Sequence, residues 1–399
     1  MISLFISINK KLCLLTCFLF CIAKLYPQHV NTIKGRIIND AAGEPVQGCS
    51  VFINNTSKGT TTNSSGEFEI INITSGKFEL IVSSVGFETY VYSFSSSQLP
   101  LELNIRLKQK VTDLPGVTVE PFLKDGWETW GQTFTETLVG TTDYANRCII
   151  KNKEAVRFRF SKKNNQLTAI ANEPLIIENR ALGYLIKYQL EEFKVDFTGR
   201  TSVYLGYPLF TDIAVNSTAM KREWKDNREN AYSGSIMHFI RSLYFNEIQI
   251  PAGENEEGFE IHKHVKLPNL EKSRVKELLG DQTTTPPAPD SIKYFKKIMR
   301  QDDSLVTDQS FTANDLTTLS ADQTRLFFFT DRLSINFRRK RNKSIELQKS
   351  TIYLTTPIAV SIEENGHYEP PLEIFTIGHW ANSEKLANSL PLNYWPEDE

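Results

Sequence analysis

The strongest constraint on this chain is a period of two. From Thr32 to Lys108, apolar and polar side chains alternate in short runs, broken by turn residues roughly every eight to twelve positions. In the last run Leu101, Leu103, Ile105 and Leu107 point one way, while Glu102, Asn104, Arg106 and Lys108 point the other. A strand sends successive side chains to opposite faces, so such a run buries one face and wets the other. Phe78, Leu80 and Val82 alternate in the same way, as do Cys49, Val51 and Ile53. Between the runs lie Gly43-Glu44-Pro45, Asn63-Ser64-Ser65-Gly66 and Ser75-Gly76, where glycine supplies positive φ and Asn or Ser closes side-chain turns. The pattern predicts an all-β sandwich that needs no helix.

The spacing of its glycines carries a resemblance. Gly35-Arg36-Ile37 through Gly43-Glu44-Pro45-Val46, then Gly59-Thr60-Thr61-Thr62-Asn63 with Gly66-Glu67-Phe68, then Gly76 and Val85-Gly86-Phe87, resemble the carboxypeptidase-regulatory-like (prealbumin-like) domain over about a fifth of the chain. The resemblance implies a seven-stranded immunoglobulin-like sandwich without a catalytic role, of the kind found at the front of many exported Bacteroidetes proteins, outer-membrane nutrient receptors among them. It does not bring a peptidase with it. A zinc carboxypeptidase needs His-x-x-Glu, and none of the six histidines is followed three residues later by Glu.

Export is also what the first residues predict. Lys10 and Lys11 precede an apolar run from Leu12 to Ala23, interrupted by Thr16 and closed by Lys24, the order of a secretory signal peptide over residues 1–28. The run is short of the roughly 20 apolar residues that span a bilayer. No later stretch reads as a transmembrane helix, and serial lipid-facing barrel strands are missing. Cys13, Cys17 and Cys21 would leave with the signal, so Cys49 and Cys148 remain, and their apolar contexts predict two buried thiols. The expected location is periplasmic or outer-membrane-associated. Forty-five basic against forty-seven acidic residues, with a net charge of −2, give no field that would hold a nucleic acid.

With 399 residues the chain is too long for one ordinary core. We expect a sandwich over 29–110, a linker over 111–121, and a larger β-rich α+β domain over 122–399, making the protein mainly β. Trp127, Trp130, Phe134 and Leu138 recur at intervals of three and four, predicting a short helix capped by Asp125 and ended by Gly140. Val156, Phe158 and Phe160, the turn Lys163-Asn164-Asn165, and Leu167, Ala169 and Ala171 predict a hairpin. From Tyr184 to Phe197 the apolar phase slips by one residue between Leu190 and Phe193, which a β-bulge produces. Helices are expected near 218–231 and 235–244, an exposed loop at 281–290, strands at 325–337 and 345–354, and a hairpin at Asn365-Gly366. Trp127-Glu128-Thr129-Trp130-Gly131, Ala181-Leu182-Gly183-Tyr184 and Tyr232-Ser233-Gly234-Ser235 also resemble a group of Bacteroidetes envelope proteins with the same front domain.

Four constellations bear on chemistry, each with a bland reading and a sharp one. Trp127 and Trp130 are core residues at helical spacing, or an aromatic platform for a ligand. Glu260, His262 and His264 are the solvated face of a strand whose other face carries Phe259, Ile261 and Val265, or part of a metal grip lacking further ligands. Arg228, Tyr232, Ser233, Ser235 and His238 meet at a helix junction. There a serine caps a helix and Arg228 and His238 satisfy buried carbonyls, or the group does acid–base or nucleophilic work without a Gly-x-Ser-x-Gly frame. Arg338, Arg339 and Arg341, with Lys340 and Lys343, form a hairpin tip held open by charge, or a site for anionic headgroups or sugar phosphates. No phosphate-cradling loop exists, since Gly59 to Gly66 lacks a following Lys, and the sequence points to no cofactor or metal. The expected function is a non-enzymatic cell-envelope binding or assembly protein whose partner is an envelope protein or glycan and whose front sandwich is the docking module. The alternative is a hydrolase of envelope or dietary polymers acting through two carboxylates distant in sequence.

Overall fold

The computed structural model describes residues 31–110, 120–248, 256–265, 270–280, 289–300, 305–321, 323–341 and 344–398. The protein is mainly β, and its described side chains gather into three apolar cores.

The front core is the expected seven-stranded sandwich. Its strands are β1 (Ile33–Asn39), β2 (Ser50–Ile53), β3 (Gly59–Thr61), β4 (Glu67–Ile70), β5 (Lys77–Ser83), β6 (Tyr90–Ser95) and β7 (Leu101–Leu107). They form a three-stranded sheet, β4-β1-β7, and a four-stranded sheet, β3-β2-β5-β6. Strand β1 runs antiparallel to β4 and parallel to β7, with Ile37 opposite Ile105. Alternation does what the sequence required: Cys49, Val51, Ile53, Phe78, Leu80, Val82, Ile105 and Leu107 are buried between the sheets. One turn of 3-10 helix, Ser96–Gln98, held by a Ser95–Gln98 capping box, departs from the helix-free expectation.

The second core lies over a six-stranded sheet. Its strands are β8 (Cys148–Ile150), β9 (Val156–Ser161), β10 (Gln166–Ala171), β11 (Leu175–Asn179), β12 (Tyr184–Asp196) and β13 (Thr201–Asp212), in the order β8-β11-β12-β10-β9 with β13 on β12. The phase slip is a real bulge, because the β12–β13 register shifts between Leu190 and Glu192, after which Phe193 is buried again. Helix α1 (Gly126–Leu138) buries Phe134 and Leu138 against this sheet. Asp125 is its N-cap residue but makes no side-chain capping bond, a correction to the expected cap.

Helices α2 (Thr218–Tyr232) and α3 (Ile236–Tyr244) lead into the third core. Ser217 and Ser235 cap them, accepting the N–H groups of Met220 and His238. Next come β14 (Gly258–Val265), α4 (Leu270–Gly280), α5 (Pro289–Met299), β15 (Leu305–Phe311), α6 (Ala313–Leu316), β16 (Thr317–Leu319) and β17 (Arg325–Phe327). The chain continues through β18 (Arg332–Arg341), β19 (Ser344–Leu354), β20 (Val360–Ile362), β21 (Tyr368–Glu369), β22 (Ile374–Gly378) and α7 (His379–Ser383). Two sheets, β15-β14-β18-β19-β22 and β16-β17-β20-β21, enclose Phe239, Phe259, Phe327, Ile335, Ile352 and Trp380. Within the loop expected at 281–290, residues 281–288 lie outside the described residues, and Pro289 and Asp290 open α5. Proline tolerates the first helical turn because its missing N–H has no partner there.

The segment from Trp380 to Tyr394 visits all three cores. Trp380 is buried in the third, Leu386, Leu390 and Tyr394 in the second, and Leu392 in the front sandwich. Two unlike polar devices fix it. Arg241, 2 % exposed, donates to the carbonyls of Leu392, Tyr394 and Asn365 at 3.0–3.1 Å. Ser57 and Asn393 exchange two hydrogen bonds, Ser57 N–H to Asn393 Oδ1 at 2.9 Å and Asn393 Nδ2 to Ser57 Oγ at 2.7 Å. Among the described residues no helix is long and apolar enough to cross a membrane.

Candidate functional site

The helix junction singled out in the sequence is a structural hub, and its groups are engaged. Arg228 donates from Nε to the Leu182 carbonyl at 2.8 Å and from Nη2 to Asp212 at 2.7 Å, and lies 4.0 Å over the Tyr184 ring. That agrees with its reading as a carbonyl-satisfying cation. His238 does the opposite of what was expected, since its Nδ1 accepts the Gly234 N–H at 3.1 Å rather than donating to a carbonyl. Its ring stacks on Tyr232 at 4.8 Å and meets Phe259 and Phe337 edge-on. Burial, with Arg241 adding to it, pushes His238 down to about 4, so the imidazole is neutral near pH 7.

The other constellations resolve similarly. Trp127 packs at 6.0 Å from Phe134 and 6.2 Å from Phe158, and Trp130 stacks on Phe160 at 5.1 Å, so both rings join the second core. Glu260 and His262 do not form a freely solvated face. They are half-buried, Arg338 Nη2 reaches Glu260 at 2.8 Å, and His262 Nδ1 is 3.1 Å from Ser310 Oγ. Among the described residues no group of His, Cys, Asp and Glu is placed to hold a metal. The basic run is a hairpin between β18 and β19, but it is not a uniform charged tip. A strand sends neighbours to opposite faces: Arg338 pairs with Glu260, while Arg339 is buried and donates to the Asn230 carbonyl at 2.8 Å. The Arg341 side chain lies outside the described residues.

Two concave surfaces are lined largely by polar side chains. The first is the outer face of β4-β1-β7, a shallow hollow lined by Lys34, Arg36, Glu67, Glu69, Glu102 and Asn104. Its middle strand is basic and its flanks largely acidic, because the register sets Lys34 opposite Glu69 and Glu102, and Arg36 opposite Glu67 and Asn104.

The second is a polar cavity of about 270 Å³ beside the helix junction, lined by residues of five separate chain segments. Of the residues anticipated from sequence it contains Ser235, Ser233 and Arg339; Arg228, Tyr232, His238, Trp127, Trp130 and Arg338 lie outside its lining. Sequence reasoning missed Asp143, Tyr144, Glu346, Gln348, His379, Ser383, Glu384 and Asn388. Gly234, at φ +82°, forms part of the wall, and a Cβ there would lie 2.5 Å from Gln348 Oε1. Gln348 is 9 % exposed, and its Oε1 and the Ser383 Oγ have no hydrogen-bond partner among the described residues. Asp143 and Glu346 stand at the exposed rim.

Glu384 is the most perturbed group here. Desolvation pushes its carboxyl up to about 7, against the lowering effect of the Ile236 N–H, which it accepts at 3.3 Å. His379 is pushed down, chiefly by burial. Glu384, Ser235, Ala231 and Asn388 also line a neighbouring cavity of about 210 Å³, bounded on the sandwich side by Asn55 and Leu392.

Comparison with known proteins bears on the front of the chain. Residues 33–119 match the CarboxypepD_reg-like domain family, which identifies the sandwich. No curated protein matches the chain. Among solved structures, a protein of unknown function from Bacteroides fragilis, presumed membrane-associated, aligns at 9 % identity and TM-score 0.16 over 83 % of this chain and 93 % of its own. A 9R-lipoxygenase from Cyanothece aligns at 9 % identity and TM-score 0.15 over 54 % of this chain and 48 % of its own. At those scores neither likeness carries an argument about the rest of the chain.

Proposed function

We propose that this chain is a non-enzymatic binding or assembly protein of the cell envelope, exported to the periplasm or outer membrane, with the front sandwich as its docking module. The observation that carries the reading is how the sandwich is built in. Leu392 sits in its core, Asn55 and Ser57 bond to the Leu392–Asn393 segment, and Asn55 and Thr56 exchange backbone bonds with Pro208 and Phe210. A domain fixed at that end presents its outer sheet as a rigid charged face, and rigidity lowers the entropic cost of binding. Opposed charges on such a face set register and partner choice more than raw affinity. The CarboxypepD_reg-like match supports a placement role for the domain, and the Lys10-Lys11 and Leu12–Ala23 pattern supports export.

The test is a pull-down of the intact exported protein from envelope extracts beside an Arg36→Glu/Glu69→Lys variant. Recovery of a defined partner by the wild type alone supports docking through this face. Equal recovery by both proteins ends it.

One observation favours the hydrolase reading as a second choice. Glu384 and Glu346 line one cavity in unlike environments, an enclosed carboxyl raised to about 7 and one at the rim. Carboxyl pairs set apart in this way carry out glycoside hydrolysis. Turnover on a glycoside panel that is lost in Glu384→Gln would establish it, and an inactive wild type would remove it.

A further inference from the structure

We propose that the pair of helices α4 and α5 is a membrane-surface contact, laying the basic, half-covered side of α5 on an anionic lipid bilayer. The two helices stand apart from the three apolar cores. The Tyr294 hydroxyl donates to Glu271 between them, and Val275 and Ile298, though buried, belong to none of the cores. Around α5, at 3.6 residues per turn, Ile292, Tyr294, Phe295, Ile298 and Met299 fall on one side and Lys293, Lys296, Lys297 and Arg300 on the other. Arg300 directly follows the helix, and its N–H bond to the Lys297 carbonyl continues the turn. On the apolar side Ile298 is buried and Phe295 half-buried, while Ile292, Tyr294 and Met299 are exposed. Leu270, Leu278 and Leu279 of α4 are exposed as well, and the six range from 36 % to 78 %. Each helix has 11 residues, a length that is marginal in water without a packed face, so this much uncovered apolar surface marks a face that a partner covers.

Charge identifies the partner. Residues 270–280 and 289–300 hold seven Lys and Arg against three Asp and Glu, in a chain whose net charge is −2. The side chains of Lys293, Lys296, Lys297 and Arg300 make no ion pair or hydrogen bond among the described residues, so their charge is open to an external anion. A basic amphipathic helix suits a membrane surface, where its cations meet anionic headgroups and its apolar residues enter the boundary with the acyl chains. A protein groove would take one continuous apolar ridge. Here the exposed apolar residues of α5 lie to either side of buried Ile298, with Ile292 and Met299 on one flank and Tyr294 on the other, which suits a deformable surface better. At 1.5 Å per residue α5 is roughly 16 Å long, so it lies on a bilayer and does not cross its ~30 Å core. This contact goes beyond the docking face of the sandwich and shares no residue with it.

The experiment is co-sedimentation of the full exported protein with vesicles of phosphatidylcholine alone and of phosphatidylcholine mixed with phosphatidylglycerol. Wild type is expected on the anionic vesicles and not on the neutral ones. The triple variant Lys293→Gln/Lys296→Gln/Lys297→Gln should bind about a hundredfold more weakly, at roughly fivefold for each cation. Ile292→Gln/Met299→Gln, which leaves the charge unchanged, should weaken binding about tenfold. Glutamine is a good helix former, and thermal melts confirm that each variant is folded. Removing three exposed cations elsewhere, in Lys162→Gln/Lys163→Gln/Lys221→Gln, should leave binding as in wild type. Equal binding to both kinds of vesicle, binding to neither, or an equal loss in the two triple lysine variants would each overturn the proposal. So would absence from vesicles together with binding of poly-L-glutamate that the Lys293 triple variant loses, because the face would then take an acidic protein. Arg36→Glu/Glu69→Lys should bind vesicles as wild type does, so lipid contact and docking by the sandwich fail separately.

Discussion

Arg241 and Leu392 are joined by a hydrogen bond of 3.1 Å, from a buried guanidinium to the carbonyl of a residue whose side chain lies in another core. The charge is held by carbonyls and rings, with Trp395 3.8 Å from it, and burial pulls its pKa down. Replacing Arg241 with Met should destabilise by about 3 kcal/mol, since three carbonyls lose a charge-assisted donor. Arg241→Lys keeps the charge but not the fork, and should recover only part of the loss. Denaturant midpoints of the two variants check this, and a Met variant as stable as wild type would contradict it.

Leu392 itself should matter at a distance from where it is encoded. It is 5 % exposed and packs in the sandwich, so Leu392→Ala should cost about 2–5 kcal/mol. The loss should appear as faster amide exchange in β2 and β5 before it appears around β12. Uniform acceleration across all three cores would show that the segment does not fix the sandwich specifically.

The local features of this fold were legible, and the assembled ones were not. The one-residue slip after Leu190 announced the β12–β13 bulge, Asn365-Gly366 announced the β20–β21 hairpin, and Ser235 announced the start of α3, because each is set by neighbours within a few residues. The cavity escaped for the opposite reason. Gln348, Glu384 and Asp143 come from separate segments, and nothing near any of them records the others. The basic run misled because a strand divides its residues between two faces, sending Arg338 to Glu260 and Arg339 inward to Asn230. Leu392 in the front core had no signal beyond being one more apolar residue near the end of the sequence.

The two described cysteines should be poor nucleophiles. Both are free thiols, Cys49 buried as expected and Cys148 only half-buried, a correction to the expectation of two buried thiols; desolvation pushes Cys148 up to about 12 and raises Cys49 as well. The thiolate is the reacting species, so at about pH 8 Cys148 should take up iodoacetamide at least roughly a hundredfold more slowly in native than in denatured protein, and Cys49 should also be slowed. Labelling of either cysteine at the denatured rate would show that its burial is not maintained in solution.

Glu384 gives the molecule a pH dependence of defined sign. Its carboxyl titrates near 7 in the folded protein against 4.5 ordinarily, so between those values the folded state holds a proton that the unfolded chain has released. The stabilisation is therefore complete below about 4.5 and is lost as pH rises through about 7, and it amounts to up to about 3 kcal/mol. His238, pushed down to about 4 from 6.5, works the other way, because the unfolded chain takes up a proton below 6.5 that the folded imidazole refuses. The two oppose each other over the acid part of the range, so the informative quantity is the difference between wild type and Glu384→Gln. Relative to Gln, wild-type stability should fall as pH is raised from about 5 to about 8, read as denaturant midpoints at each pH. A difference that stays flat would mean that the carboxyl is ionised throughout, with the Ile236 N–H and penetrating water outweighing desolvation.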